Sequence, residues 1–447
     1  MRGVESFSVV LALVALPALA HAQVSYTLVD VAAGSPYDGV SLNGINAAGH
    51  MSGYGVVSAT GEIHAFILHD GVFDDLGLLG YQASDGIAIN ASDQLAVDGI
   101  GPGSTALFWS DGKVKRVGSV DGGYSSAYGI NSRGDMAGSA KNGDGNTVGF
   151  SWIAGTFTDL STVGITRAAA INDSDQIAGS TAYYYGYGGY LHGVAHACLL
   201  SGGVVTELGS LAGYPRTNAE AFGINASGQV VGYSTASDGL EHAFLYTGGA
   251  MQDLGTLAGA NAAAIAINAG GEVIGNLTNA YGANLGAFVV VGGTMTDLST
   301  LLVNSDPGWS QLVVTGLNDG GSIVGYGTLN GGTHGFLAMP VSATAVGPAA
   351  AVLRTAIPAS APNPFRSGTT ITLELAARDA AGRVRLEVFD TAGRRVATLL
   401  DGQLPAGRHS IAWSGRDDAG RRSGSGIYFA RLSSNGHTAS RRLALAP

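Results

Sequence analysis

The chain has 447 residues, of which 71 are glycine and 12 proline, and only 12% are charged. Glycine is more than twice its usual ~7% share, yet glycine and proline together stay below the ~25–30% of aperiodic low-complexity chains, and no G-X-Y period runs through them; disorder and a triple helix are excluded. A net charge of −11 argues against a nucleic-acid-binding protein, and 46% hydrophobic residues leave enough for a large core.

Residues 1–22 carry Arg2 in a short polar head, an apolar stretch over 7–20, and the small residues of Ala20-His21-Ala22 before Gln23. This layout reads as a secretory signal peptide cleaved near Ala22, its apolar stretch being shorter than the ~20 residues of a spanning helix. The mature chain is expected to be secreted or held on the outer cell surface, with no transmembrane helix; the best later candidate, 338–353, contains Pro340 and Pro348. Cys198 is the only cysteine. No intramolecular disulfide is possible, and Cys198, standing where other copies of a repeat carry Phe, is expected in the core.

Residues 23–340 repeat. A small residue, Ile or Leu, and Asn recur at Gly44-Ile45-Asn46, Ala88-Ile89-Asn90, Gly129-Ile130-Asn131, Ala170-Ile171-Asn172, Gly223-Ile224-Asn225, Ala266-Ile267-Asn268 and Gly316-Leu317-Asn318, with spacings of 44, 41, 41, 53, 43 and 50. Each copy continues through a turn into an apolar-Gly strand and then a second strand pair, as in His242-Ala243-Phe244 followed by Asp253-Leu254-Gly255. Four short strands per ~40–50 residues predict a β-propeller blade, and tight turns account for the glycine. The seventh unit lacks its fourth strand, while residues 26–31 before the first unit resemble one. The expectation is a seven-bladed propeller whose N-terminal strand closes the last blade; an open β-solenoid or another blade count are the competing architectures.

Antiparallel order places the one-to-two and three-to-four turns on one face, where they are uniformly short, and the remaining loops on the other. Length varies on that second face, at 183–192, 212–220 and 303–311, and variable loops on a rigid scaffold are where binding resides. Tyr183, Tyr184, Tyr185, Tyr187 and Tyr190, with Trp309 on another insertion, are therefore the candidate ligand-binding residues, on loops able to stack on sugars or contact a protein; a self-packed loop is the alternative. Asn142, Asp144 and Asn146 space oxygens like a calcium loop, but the twelfth position is Ile153, so a plain turn competes with a calcium site. No other cofactor is expected. The recurring acids Asp75, Asp159, Glu207, Asp253 and Asp297, and the histidines His64, His196, His242 and His334, are expected to be structural, because catalysis needs one asymmetric cluster.

The Gly-Ile-Asn, Gly-apolar-Val-Gly, His-Ala-Phe and Asp-Leu-Gly segments resemble the HAF-type extracellular repeat of bacterial exported proteins, cleanest at His64-Ala65-Phe66 with Asp75-Leu76-Gly77 and at His242-Ala243-Phe244 with Asp253-Leu254-Gly255. Copies such as Thr105-Ala106-Leu107 lack the His. The resemblance implies an extracellular location and no particular activity.

Residues 341–361 read as an Ala/Pro-rich linker, and 362–447 as a small β-sandwich with six alternating strands. Asn363-Pro364-Phe365, Val388-Phe389-Asp390 with Gly393-Arg394-Arg395-Val396, Ala406-Gly407-Arg408-His409 and Ser425-Gly426-Ile427-Tyr428-Phe429 resemble the Ig-like domain related to the flagellar hook-capping protein, and more closely the type A C-terminal sorting domain of type IX secretion. The resemblance implies partnership with secretion machinery and surface attachment; the tail Leu443-Ala444-Leu445-Ala446-Pro447 stands where the usual lysine-bearing end would be. Charge separates the parts: 23–346 holds 7 basic against 25 acidic residues, net −18, and 347–447 holds 14 arginines against 7 acids, net +7. The reading is an exported monomer acting without catalysis, by binding a glycan or cell-surface protein or as a scaffold, with no nucleic-acid partner; the alternative is a propeller-type glycosidase or lyase acting on polysaccharide.

Overall fold

A computed structural model describes residues 24–33, 35–187, 190–213, 217–303, 308–341, 355–361, 363–366, 368–375, 383–402, 404, 407–435 and 437–446. The leader at 1–22 lies outside them. The chain divides into two compact units, residues 1–343 and 344–447.

The described part of the first unit holds seven four-stranded antiparallel sheets in a propeller-like arrangement. Six are consecutive hairpins, spanning 37–77, 83–118, 125–159, 165–207, 219–255 and 261–297. The seventh takes three strands from its own stretch, Ser310–Leu317, Ile323–Leu329 and Gly332–Val341, and its fourth from Ser25–Asp30 at the other end of the chain. Pairing runs from Ser25 opposite Val341 to Asp30 opposite Phe336, so the expected strand exchange is realised. The first strand of each sheet packs on the first strand of the next, and Ser310–Leu317 packs on Tyr37–Ile45, closing the circle.

The recurring Asn is the device that closes it. Each is nearly buried, between 4% and 9% exposed. Its side-chain Nδ2 donates to the backbone carbonyl of the next sheet's Asn: Asn46 to Asn90 at 3.0 Å, Asn90 to Asn131 at 2.9 Å, Asn131 to Asn172 at 3.3 Å, Asn172 to Asn225 at 3.0 Å, Asn225 to Asn268 at 3.1 Å, Asn268 to Asn318 at 3.2 Å, and Asn318 back to Asn46 at 3.1 Å. The Oδ1 meanwhile accepts backbone N–H groups of its own turn, as Asn225 does from Ser227 and Gln229 at 3.1 Å each. One amide thus forms the one-to-two turn and ties neighbouring sheets, a combination that needs both a donor and an acceptor on a short stem.

Three residues before each Asn the first strand bulges, for example between Ala127 and Gly129 and between Ala264 and Ala266. The bulge drives a first-strand carbonyl over the second strand: a Cβ at Gly275 would lie 2.2 Å from the Ala263 oxygen and 2.3 Å from the Phe288 ring. Phe66, Phe150, Phe244, Phe288 and Phe336, all 0% exposed, fill the space above these glycines, each ring contributing roughly 1.5–3 kcal/mol of burial. Sheet two carries Val97 in place of the glycine, and there the glycine has crossed to the partner strand as Gly86. Cys198 is 0% exposed at the Phe position of sheet four, opposite Gly179.

The second unit is a sandwich. One sheet joins Ala356–Ala361, Thr369–Leu375 and Gly407–Trp413; the other orders Arg395–Gly402, Val384–Asp390, Gly426–Ser434 and His437–Leu445. Both sheets feed one core, with the Trp413 ring set edge-on to Phe365 and Tyr428 at 5.5 and 5.1 Å. Residues 356–361, read from composition as linker, are instead the sandwich's first strand: Ile357 is buried, and the backbone pairs with 370–374.

Candidate binding face and channel

The recurring histidines and acids bind each other. His64 Nδ1 lies 2.9 Å from Asp75, His242 Nδ1 3.0 Å from Asp253, and His196 Nδ1 3.5 Å from Glu207, in each case linking third strand to fourth. In the seventh sheet the partner of His334 is Asp30 of the N-terminal strand, at 3.1 Å. The acid has a second task, which explains why Asp survives where His is lost. Asp30, Asp75, Asp159, Asp253 and Asp297 each accept the backbone N–H two residues on, at 2.7–2.9 Å, turning the chain out of the fourth strand.

The tyrosine segment differs from the expected loop. It continues strands two and three of the fourth sheet: Ile177–Tyr187 pairs with Tyr190–Ser201, Tyr185 opposite His192 and Tyr187 opposite Tyr190. Alternating tyrosines suit a pleated hairpin better than an open loop. Tyr183 stacks on His196 with ring centroids 4.9 Å apart, while Tyr184 is 63% exposed; the side chains of Tyr185, Tyr187 and Tyr190 lie outside the described residues. Trp309 is half-buried, its ring edge-on to His334 and Phe336, so it packs on the core of the seventh sheet. Sheets four and seven are separated by two others, so these aromatics do not form one cluster. In the Asn142 turn, Asn142 Oδ1 accepts N–H groups of Asp144 and Asn146 at 3.1 and 2.9 Å, the same turn the ring asparagines make. No group of three or more His, Cys, Asp or Glu arranged to hold a metal occurs among the described residues. The face also bears a groove of about 640 Å³ lined by Leu79, Tyr81, Pro102 and Val114, with Arg116 Nε donating to Tyr81 Oη at 2.9 Å.

The central channel is where the repeat loses its symmetry. Five residues before each ring Asn stand Ser41, Asp85, Ser126, Arg167, Glu220, Ala263 and Val313, and three before, at the bulge, Asn43, Ile87, Tyr128, Ala169, Phe222, Ile265 and Thr315. Asp85 lies opposite Asp98 across sheet two. Asp85 accepts from Asn43 Nδ2 at 2.7 Å and Asp98 from the Ala127 N–H at 2.9 Å. Burial pushes the Asp85 carboxyl up to about 7, with the Asp98 charge adding to it, and burial pushes Asp98 up to about 6. In sheet four, the Arg167 guanidinium lies 4.5 Å from the Tyr128 ring centroid and 5.2 Å from that of Phe222. Those rings belong to sheets three and five, so both reach around the channel toward the arginine between them. Tyr233 Oη donates to Glu220 at 3.1 Å, and burial, with the Glu220 charge second, holds the Glu241 carboxyl above its ordinary value. These residues were not singled out from sequence. Their signal was there, in two columns whose chemistry changes from copy to copy while the residues around them repeat.

In the second unit, Asp390 to Arg394 and Asp417 to Arg421 form two like turns. Each Asp accepts the N–H groups two and four residues on, and the closing arginine's Nε at 3.0 Å. Both line one groove of about 420 Å³.

No curated protein matches the chain. Among solved structures it is similar to PorZ, an essential bacterial surface component of the type-IX secretion system of Porphyromonas gingivalis, at 14% identity over 93% of this chain and 60% of that one, TM-score 0.42. It is also similar to a Mycobacterium tuberculosis puromycin-hydrolyzing peptidase, at 13% identity over 79% and 61%, TM-score 0.44, and to the Aleuria aurantia lectin, at 14% over 72% and 98%, TM-score 0.30. The chain spans about three-fifths of the length of the first two. Residues 360–437 match the family model described as the FlgD Ig-like domain.

Proposed function

We propose that the protein is an exported, surface-associated or released ring that acts by binding, without catalysing a reaction, and that its C-terminal Ig-like module serves secretion and surface attachment. One observation carries the first part: the polar residues that recur in the repeat are spent on building it. The asparagines close the circle, the histidines pair with acids, and the acids turn the chain, so recognition is left to the channel and to the long-loop face with its aromatic hairpin. A glycan or a cell-surface protein is the partner this face suits. The second part is supported by the match at 360–437 and by the sorting-domain motifs, which fall on the strands and turns of the sandwich.

The test of binding is a glycan array probed with the full mature chain and its Tyr184→Ala variant. Binding weakened by the substitution supports the reading, and no binding to any glycan removes the glycan form of it. For the module, deletion of 355–447 is expected to leave the ring unexported or unattached; unchanged surface display removes that role. The half-buried Asp85–Asp98 pair favours a second reading, a polysaccharide-active enzyme, since two neighbouring carboxyls of raised pKa are the groups acid–base hydrolysis needs. Release of reducing ends from polysaccharide by the wild type, lost in Asp85→Asn, would establish that reading in place of the first.

A further inference from the structure

We propose that the channel holds a recognition site for the carboxylate of an acidic sugar, built on the guanidinium of Arg167. This rests on the reading of the ring as a glycan-binding module and names the chemistry it selects.

Arg167 is the only basic residue among the fourteen in the two variable channel columns. Its bulge position is occupied by Ala169, the smallest side chain of that column, which leaves the space between Tyr128 and Phe222 for the guanidinium to enter. With the Tyr128 ring centroid 4.5 Å and the Phe222 ring centroid 5.2 Å away, the cation is held against two aromatic rings, and its N–H groups are what remains for a ligand. Among the described residues no protein acceptor meets them and no ion pair is made; the Nε is buried without a partner. Glu220, at the same position of the next sheet, is engaged by Tyr233. A planar fork of N–H donors with no acceptor matches a carboxylate in two parallel bonds.

The rest of the channel narrows the ligand. Asp85, Asp98, Glu220 and Glu241 share this end of the ring, and the stretch 23–346 carries net −18, which opposes a polyanion. A glycan ending in one uronic acid brings a single carboxylate to Arg167 and neutral sugars to the rest. The same sheet extends its hairpin on the long-loop face with Tyr184 63% exposed, an aromatic surface of the kind neutral sugar rings stack on.

The test is titration of the full mature chain with glucuronate-terminated oligosaccharide and with the glucose-terminated counterpart. Wild type is expected to prefer the acidic ligand by about 10- to 100-fold, the range of a charge-assisted bidentate contact, and to lose part of that preference in high salt. Arg167→Met, which keeps a long apolar stem between the rings, should abolish the preference while leaving neutral-glycan binding in place; Arg167→Lys should keep only a fraction. Equal binding of both ligands by wild type overturns the inference without recourse to any variant. So does an acidic preference that survives in Arg167→Met. If neutral glycans bind but the acidic end adds nothing, this site fails and the glycan reading stands; if neither binds, both fail.

Discussion

Replacing Asn225 by Asp tests the ring device at one atom. Asn225 is 5% exposed; its Nδ2 donates to the Asn268 carbonyl at 3.1 Å and to Gln229 Oε1 at 2.8 Å, and its Oδ1 accepts from Ser227 and Gln229. Asp keeps the shape and the two accepted bonds but loses both donated ones. Gln229 can turn its amide to donate to the new carboxylate, so the damage concentrates at the Asn268 carbonyl, which loses its donor and faces an oxygen. One lost bond at ~1 kcal/mol and a buried unsatisfied carbonyl at ~1–3 kcal/mol give about 2–4 kcal/mol at pH 7. The sign of the pH dependence follows. The backbone N–H bonds the carboxylate keeps from Ser227 and Gln229 lower its pKa, while desolvation at 5% exposure and the facing carbonyl raise it; with the site this buried the raising side wins and the folded value stands above the unfolded ~3.9. The protonated form, which can donate to Asn268, is therefore favoured by folding, and the cost of the variant shrinks as pH falls and grows as pH rises through the raised value. Urea unfolding of wild type and variant, followed by tryptophan fluorescence at pH 4 to 8, reads the difference. A variant as stable as wild type at pH 7 refutes the cross-sheet role of the asparagine.

Gly275→Val should destabilise by more than ~3 kcal/mol, because its Cβ meets the Ala263 oxygen and the Phe288 ring; adding Ala264→Gly, which copies the Gly86–Val97 arrangement of sheet two, should recover part of the loss in the same unfolding assay. Removing 23–30 exposes the edge of Gly332–Val341 and takes Asp30 from His334, so size-exclusion chromatography should show self-association, and added 23–31 peptide should reverse it. Burial pushes the Asp85 carboxyl up to about 7, with the Asp98 charge adding to it, and the Asp98 carboxyl up to about 6. Their contribution is thus fully favourable only below about pH 4 and is lost as pH rises through 6 and 7. Asp85→Asn should flatten that loss and make the ring more stable than wild type at pH 8; unchanged pH dependence removes the pair as its source. Trp413→Ala in the sandwich should cost ~3–5 kcal/mol, seen as loss of the second unit's cooperative transition.

The frame was legible in the sequence because each part of it recurs for a physical reason that acts in every copy. The spacing of Ile-Asn marks the turn, the glycine marks a carbonyl crossing overhead, and the His and Asp mark a third-to-fourth strand pair, so seven copies repeat one message. Closure was legible for the same reason: residues 26–31 resemble a fourth strand, and Asp30 supplies to His334 what Asp253 supplies to His242. What the repeated residues do was less visible. The Ile-Asn motif reads as a turn signal, and only the ring geometry reveals that its amide reaches the next sheet. The tyrosine hairpin is not legible locally, because glycine among the tyrosines suggests a loop while the cross-strand pairing that holds it straight is set by the sheet. The channel escaped for the opposite reason. Asp85, Arg167 and Glu220 stand in one column with Ser41, Ser126, Ala263 and Val313, and a search for similarity between copies discards such a column as noise. A ring built from equivalent units can recognise an asymmetric ligand only where the units differ, so those discarded columns are the place to look for function. The fold is written in what the copies share, and the site in the few positions where they were free to diverge.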